Sequence, residues 1–182
     1  MRGQAQVVVY VLLFLISLLL VFSAVSWGRG VSARHTDVGR ITAVESFARA
    51  LDSMIQSVAR HGGSGSISYP LDATIALVDA DLNDRIEISM PIEMGLAEYW
   101  LNLTPPESIG MIRERKEGVL FRLQLSYPPC RAPAKPCFAI DLYSTVPLIG
   151  IPSAITVERN ATIVRTIAGT DYLIAKVELD FK

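Results

Sequence analysis

Cys130 and Cys137 bracket the segment CRAPAKPC, with prolines at positions 128, 129, 133 and 136 around them. The runs on either side have strand character. The pair is therefore placed to close a loop through an intramolecular disulfide, a bond that belongs to an oxidising compartment. A closed loop of about eight residues contributes roughly 2–3 kcal/mol, which braces a loop rather than a fold. Zinc ligation fits less well, because six residues separate the thiols and no second cysteine pair completes a tetrahedral ligand set.

Asn102-Leu103-Thr104 and Asn160-Ala161-Thr162 match the N-glycosylation sequon. Pro105 directly after the first one disfavours its use. Asn160 is expected in an exposed turn between two strands. The histidines are His35 and His61, and neither has a sequence-adjacent serine or cysteine nucleophile. His61 at a helix end is explained by the helix dipole. Ser64 lies in GGSGS but leaves a helix for a strand, the reverse of a nucleophile elbow. Asp72, Asp79, Asp81 and Asp84 lack the spacing of a calcium loop, and Asp81–Asp84 reads as a hairpin turn. Arg113–Glu117 (RERKE) mixes signs and reads as a solvated loop or helix end. These residues imply no enzyme, no cofactor and no metal.

The element that most constrains the chain is Val7–Trp27, 21 residues without a charge, of which only Ser17, Ser23 and Ser26 are not apolar. As a helix it spans about 31 Å, close to the thickness of a bilayer's hydrocarbon core. Tyr10 and Trp27 lie near its ends, where amphipathic rings favour the interface. Arg29, Arg34 and Arg40 after the segment favour a cytoplasmic C-terminal side. The length of the following domain, the cysteines and the sequons favour the outside, and the outside is the expectation adopted. Cleavage of a secretory signal before Trp27 is a competing reading, although the apolar run is longer than a usual signal core.

Arg2-Gly3-Gln4 directly before this helix resembles the leader of archaeal type IV pilin-like (class III signal peptide) surface proteins. The resemblance implies cleavage between Gly3 and Gln4, with the helix retained as membrane anchor and filament core. It covers the first 27 residues and a general helix-then-strands layout. Gln6 and Val8 stand where that family often has Ser and Glu. An uncleaved signal anchor fits the same residues.

Residues 28–35 read as a short basic hinge. Beyond it, Ile41, Val44, Ala48, Leu51, Ile55 and Val58 repeat at helical spacing, widened by Phe47 and Met54. Arg40, Glu45, Arg49, Asp52, Gln56 and Arg60 fall on the expected wet face. Thr36 or Asp37 can cap the start, and Gly62-Gly63 end the helix. All ten prolines lie between Pro70 and Pro152, which marks a change to strands and turns. Strands are expected at 66–69, 74–78, 85–90, 119–126, 138–143, 155–158, 162–167 and 172–181, and 93–103 could hold a short helix.

The layout is therefore α+β: residues 1–6 a leader, 7–27 a transmembrane helix, 28–35 a hinge, and 36–182 an extracytoplasmic amphipathic helix packed on an antiparallel β-rich domain. A net charge of −1 over 182 residues gives no electrostatic reason to expect nucleic acid. The expected partners are the lipid bilayer and, for a cell-surface structural or adhesive subunit, further copies or envelope proteins. The alternative is a monomeric membrane-tethered binding module or an accessory subunit of an envelope complex. Tyr99, Trp100, Tyr127 and Tyr143 are the aromatic residues available for a binding patch, with core packing the competing role.

Overall fold

The computed structural model describes residues 2–78, 84–94, 96, 98–106, 108–128, 137–167 and 170–182. The chain divides into two units, Met1–Gly39 and Arg40–Lys182. A single helix, α1 (Arg2–His61), contributes to both. The expected hinge at 28–35 is helical, and Thr36 and Asp37 are interior helix residues rather than caps. Gly28 and Gly30 lower helix propensity by about 1 kcal/mol each. They do not break a helix whose neighbouring turns all favour it. In the first unit the apolar stretch is unburied, and Ser17 returns its hydroxyl to the Leu13 carbonyl at 2.9 Å. Thr36 does the same with Ser32 at 3.1 Å.

In the second unit, α1 ends where the sequence marks an end. Gly62 (φ 81°) and Gly63 (φ 86°) take left-handed conformations, and the Gly62 N–H donates to the Val58 carbonyl at 2.8 Å. Arg159 Nη1 donates to the carbonyls of Ala59 (3.0 Å) and Arg60 (3.4 Å). A cation therefore sits at the negative end of the helix dipole.

Ten strands follow. One sheet has the order β1 (Ser64–Ser68), β9 (Ala154–Ile167), β10 (Thr170–Phe181), β7 (Cys137–Tyr143). The other has the order β4 (Leu101–Asn102), β5 (Met111–Glu117), β6 (Leu120–Ser126), β3 (Arg85–Pro91), β2 (Thr74–Val78), β8 (Ile149–Gly150). Every pairing is antiparallel except β7 with β10, which is parallel.

The helical stripe behaves as its spacing predicts. Val44, Ala48, Leu51 and Ile55 join one buried cluster with Ile86 and Ile88 of β3, Phe121, Leu123 and Leu125 of β6, and Ile155, Val157, Val177 and Leu179 of β9 and β10. Full burial of a side chain of this size contributes about 1.5–3 kcal/mol, so this shared core is what holds helix and sheets together.

Three local expectations are corrected. Residues 113–117 form most of β5 instead of a loop or helix end. Arg113, Arg115 and Glu117 share one sheet face, where Glu117 bridges Arg115 (3.2 Å) and Arg122 (2.9 Å), which stand directly opposite each other. The described part of 93–103 contains no helix, only the short β4. The two strands expected at 155–158 and 162–167 are one 14-residue strand, β9, with a bulge. Arg159 pairs with Val177 and Ala161 with Lys176, so Asn160 is the extra residue. A bulge shifts the alternation of faces by one, and in sequence this imitates the end of a strand.

Candidate functional site

The polarity of Asp52 predicts the wet face of the helix, yet it is 4% exposed. Its position explains why: it lies four residues after Ala48 and three before Ile55, within the apolar stripe. Burying an ionised carboxylate requires partners, and three are present. Tyr127, just beyond β6, donates its hydroxyl to Oδ1 at 2.8 Å. Gln56 Nε2 donates to Oδ2 at 2.8 Å, and Ser108 Oγ lies 2.7 Å from the same oxygen. Ser108 Oγ also lies 3.0 Å from the Gly110 carbonyl and accepts from Gln56 Nε2 at 2.9 Å. Burial, followed by the charge and hydrogen bond of Asp52, pushes the Tyr127 hydroxyl well above the usual tyrosine range. A side chain at Gly110 would run into Asp52 Oδ1 and come within 2.9 Å of Tyr127 Cε1. The network joins the helix to the 108–110 segment and the end of β6, and only glycine fits beside it.

Over this network lies an open groove of about 370 Å³, lined by Arg49, Asp52, Ser53, Gln56, Ser57, Arg60, His61, Pro105 and Ser108. Its lining combines the cationic Arg49 and Arg60 with hydroxyl and amide groups and the Asp52 carboxylate. Arg49 also reaches Glu45 at 3.9 Å, and His61 Nδ1 lies 3.2 Å from the Ser57 carbonyl. Such a lining suits hydrogen bonding to a polar or anionic group.

A second unusual carboxyl is Glu114 on β5. It is 8% exposed, and its Oε2 has no hydrogen-bond partner. Burial, and then the nearby Glu45 carboxylate, raise its pKa above the usual glutamate range. Glu87 on β3 shows the opposite result. Burial opposes its ionisation, but hydrogen bonds from Arg85 (2.7 Å) and Gln124 (2.8 Å) and the charges of Arg85 and Arg122 outweigh it, so its pKa is lowered.

The sequence-derived site residues are not gathered in one place. Gly3 and Gln4 fall in the first turn of α1. Cys137 opens β7, is 1% exposed and is not a free thiol. Cys130 and the intervening loop lie outside the described residues, as do Asp79 and residues 81–83 of the hairpin turn expected at Asp81–Asp84. Asp84 is buried and accepts the Leu142 N–H at 3.2 Å. Asn102 is exposed, with its Oδ1 accepting from Thr104 N at 3.1 Å and Thr104 Oγ1 at 2.5 Å, a closed Asx turn.

Asn160 lies in the middle of β9, not in a turn. Its amide Nδ2 donates to Tyr143 Oη and to Glu178 Oε2, and the Tyr143 hydroxyl lies 3.4 Å from that same carboxylate oxygen. The nitrogen that a glycan would occupy is thus engaged across β9, β10 and β7. Of the four aromatic residues named for a binding patch, Tyr99 is 69% exposed and Tyr127 is buried, while Trp100 carries the Arg115 guanidinium 4.6 Å from its ring centre. Among the described residues no three His, Cys, Asp or Glu side chains converge as a metal site.

Among the described residues one helix is long and apolar enough to cross a membrane, with a mean hydropathy of 2.9 in its most apolar window. No protein-family model, curated protein or solved structure matches the chain.

Proposed function

We propose that this chain is a membrane-anchored cell-surface protein, similar to an archaeal pilin-like subunit, that displays its β-rich domain outside the cell. The observation that carries this reading is the apolar stretch Val7–Trp27, none of which is buried within the protein. Apolar area of that extent in water is unfavourable at about 25 cal/mol per Å², and a bilayer or a bundle of like helices removes the cost. The engaged Cys137 supports an oxidising exterior, where a Cys130–Cys137 disulfide would brace the loop before β7.

The test is the mature N-terminus. Intact-mass measurement on protein from its native membrane is expected to give a chain beginning at Gln4. A chain still beginning at Met1 or Arg2 overturns pilin-type processing and leaves an uncleaved anchor. Thiol labelling without reductant tests the disulfide, and two reactive cysteines would refute it.

The groove lined by Arg49 and Arg60 favours a second reading, a monomeric tethered binding module or accessory subunit of an envelope complex. Electron microscopy of cell surfaces with and without the protein separates the two. Loss of a filament supports the first, and an unchanged surface the second.

A further inference from the structure

β9 is longer than the strand beside it. β1 pairs only with Ala154–Glu158, and the last bond on that edge runs from Arg159 N to the Gly63 carbonyl at 3.2 Å. After the Asn160 bulge the strand continues to Ile167 with β10 on one side. Among the described residues no strand pairs with its other side. Residues 161–166 (ATIVRT) are all exposed, Val164 at 70%, and carry one charge and no proline or glycine. An exposed edge of strand-forming residues presents backbone donors and acceptors to solvent, a template for a further strand.

We propose that a second copy of this chain fills the edge, pairing its own β9 antiparallel about a two-fold axis at Val164. The residues of the edge favour self-pairing in this register. Thr162 then stands opposite Thr166, Ile163 opposite Arg165, and Val164 opposite itself. Threonine pairs and an apolar residue against an arginine stem are favourable cross-strand neighbours. A two-fold axis moved one residue along, to Arg165, would set the two arginines against each other, which selects against it. Residues 162–166 of the two copies also clear the bond between Gly63 and Arg159. The result joins two four-stranded sheets into one and removes an open edge from each copy. This goes beyond the anchoring reading and does not depend on how the leader is processed.

The experiment uses the full chain, purified in detergent and reconstituted in vesicles. Val164→Cys is expected to form a disulfide-linked dimer under mild oxidation, since directly opposed strand positions fall within disulfide reach. Thr162→Cys and Thr166→Cys should each remain monomeric on a non-reducing gel and cross-link when mixed. Val164→Lys and Val164→Glu should each shift the native dimer to monomer, and mixing them should restore it, a rescue that misfolded variants would not show. A wild-type chain that stays monomeric in both detergent and vesicles overturns the proposal. So does cross-linking that is equal at positions 162, 164 and 166, or a mixture of the Lys and Glu variants that fails to pair.

Discussion

Asp52 and Glu114 are both carboxyls that the fold takes out of water, and the difference between them is their partners. Asp52 accepts from Tyr127, Gln56 and Ser108, so its charge is compensated. Asp52→Ala leaves the Tyr127 hydroxyl buried without an acceptor and is expected to cost about 2–4 kcal/mol, given 1–3 kcal/mol for each stranded group. Chemical denaturation of the variant measures this directly, and Tyr127→Phe should recover part of the loss. Glu114 lacks such partners on Oε2 and faces Glu45. Because its pKa is raised on folding, its ionisation opposes the fold. Stability from this site is fullest below the ordinary glutamate range and falls as pH rises through the raised value. Glu114→Gln is therefore expected to stabilise the protein by about 1 kcal/mol near neutral pH. The gain should disappear in thermal melts run at acidic pH. Neither behaviour was legible from residue type. The spacing of Asp52 within the apolar stripe is the signal the sequence carries, and the residue's polarity points the other way.

At the level of elements, α1 and β9 show how a local pattern can be complete and still be misread. The stripe from Ile41 to Val58 packs as its periodicity implies, because a 3.6-residue repeat leaves one face for a core. Ile55→Ala within it should cost about 2–5 kcal/mol by urea titration, the range for emptying a well-packed site. The glycines at 28 and 30 suggested a hinge, but helix termination needs a partner for the freed backbone groups. At His61 the Gly62 conformation and the Arg159 guanidinium supply one. Arg159 is 98 residues beyond His61, so no window of sequence could have connected them.

In β9 the bulge at Asn160 turns the alternation out of phase, and the strand looked like two. Deleting Asn160 is expected to destabilise the protein about as much as Asn160→Ala. Both changes remove the amide contacts with Tyr143 and Glu178, and deletion leaves the other paired residues of β9 opposite their own partners on β10 and on their own faces, because Asn160 is the residue the ladder leaves unpaired. Comparison of urea midpoints decides this.

For the whole molecule, the apolar cluster that unites helix and sheets draws its members from Ile41 to Leu179, all within the unit Arg40–Lys182. A chain beginning at Arg40 is therefore expected to fold and stay in solution, read by dispersed amide signals and a cooperative melt. Failure of that chain to fold would assign a structural role to residues before Gly39. The polar face of the six-stranded sheet adds a pH dependence opposite to that of Glu114. The pKa of Glu87 is lowered by Arg85, Gln124 and Arg122 against the effect of burial, so its contribution is present above the ordinary glutamate range. That contribution is lost as pH falls through the lowered value.

The sequence by itself determined the apolar N-terminal helix, the amphipathic face that follows it and most of the strands, because each depends on periodicities of a few residues. It also determined where processing and a disulfide are chemically possible. Only the tertiary structure decided that β5 is a strand despite its charges, with Glu117 paired to Arg115 on the same strand and to Arg122 on β6. It likewise decided that Asp52 is buried, that Asn160 is a bulge with its amide engaged, and that β9 outruns its neighbour and leaves an edge open. In each case the deciding energy comes from groups distant in the chain, and a local pattern carries no record of them.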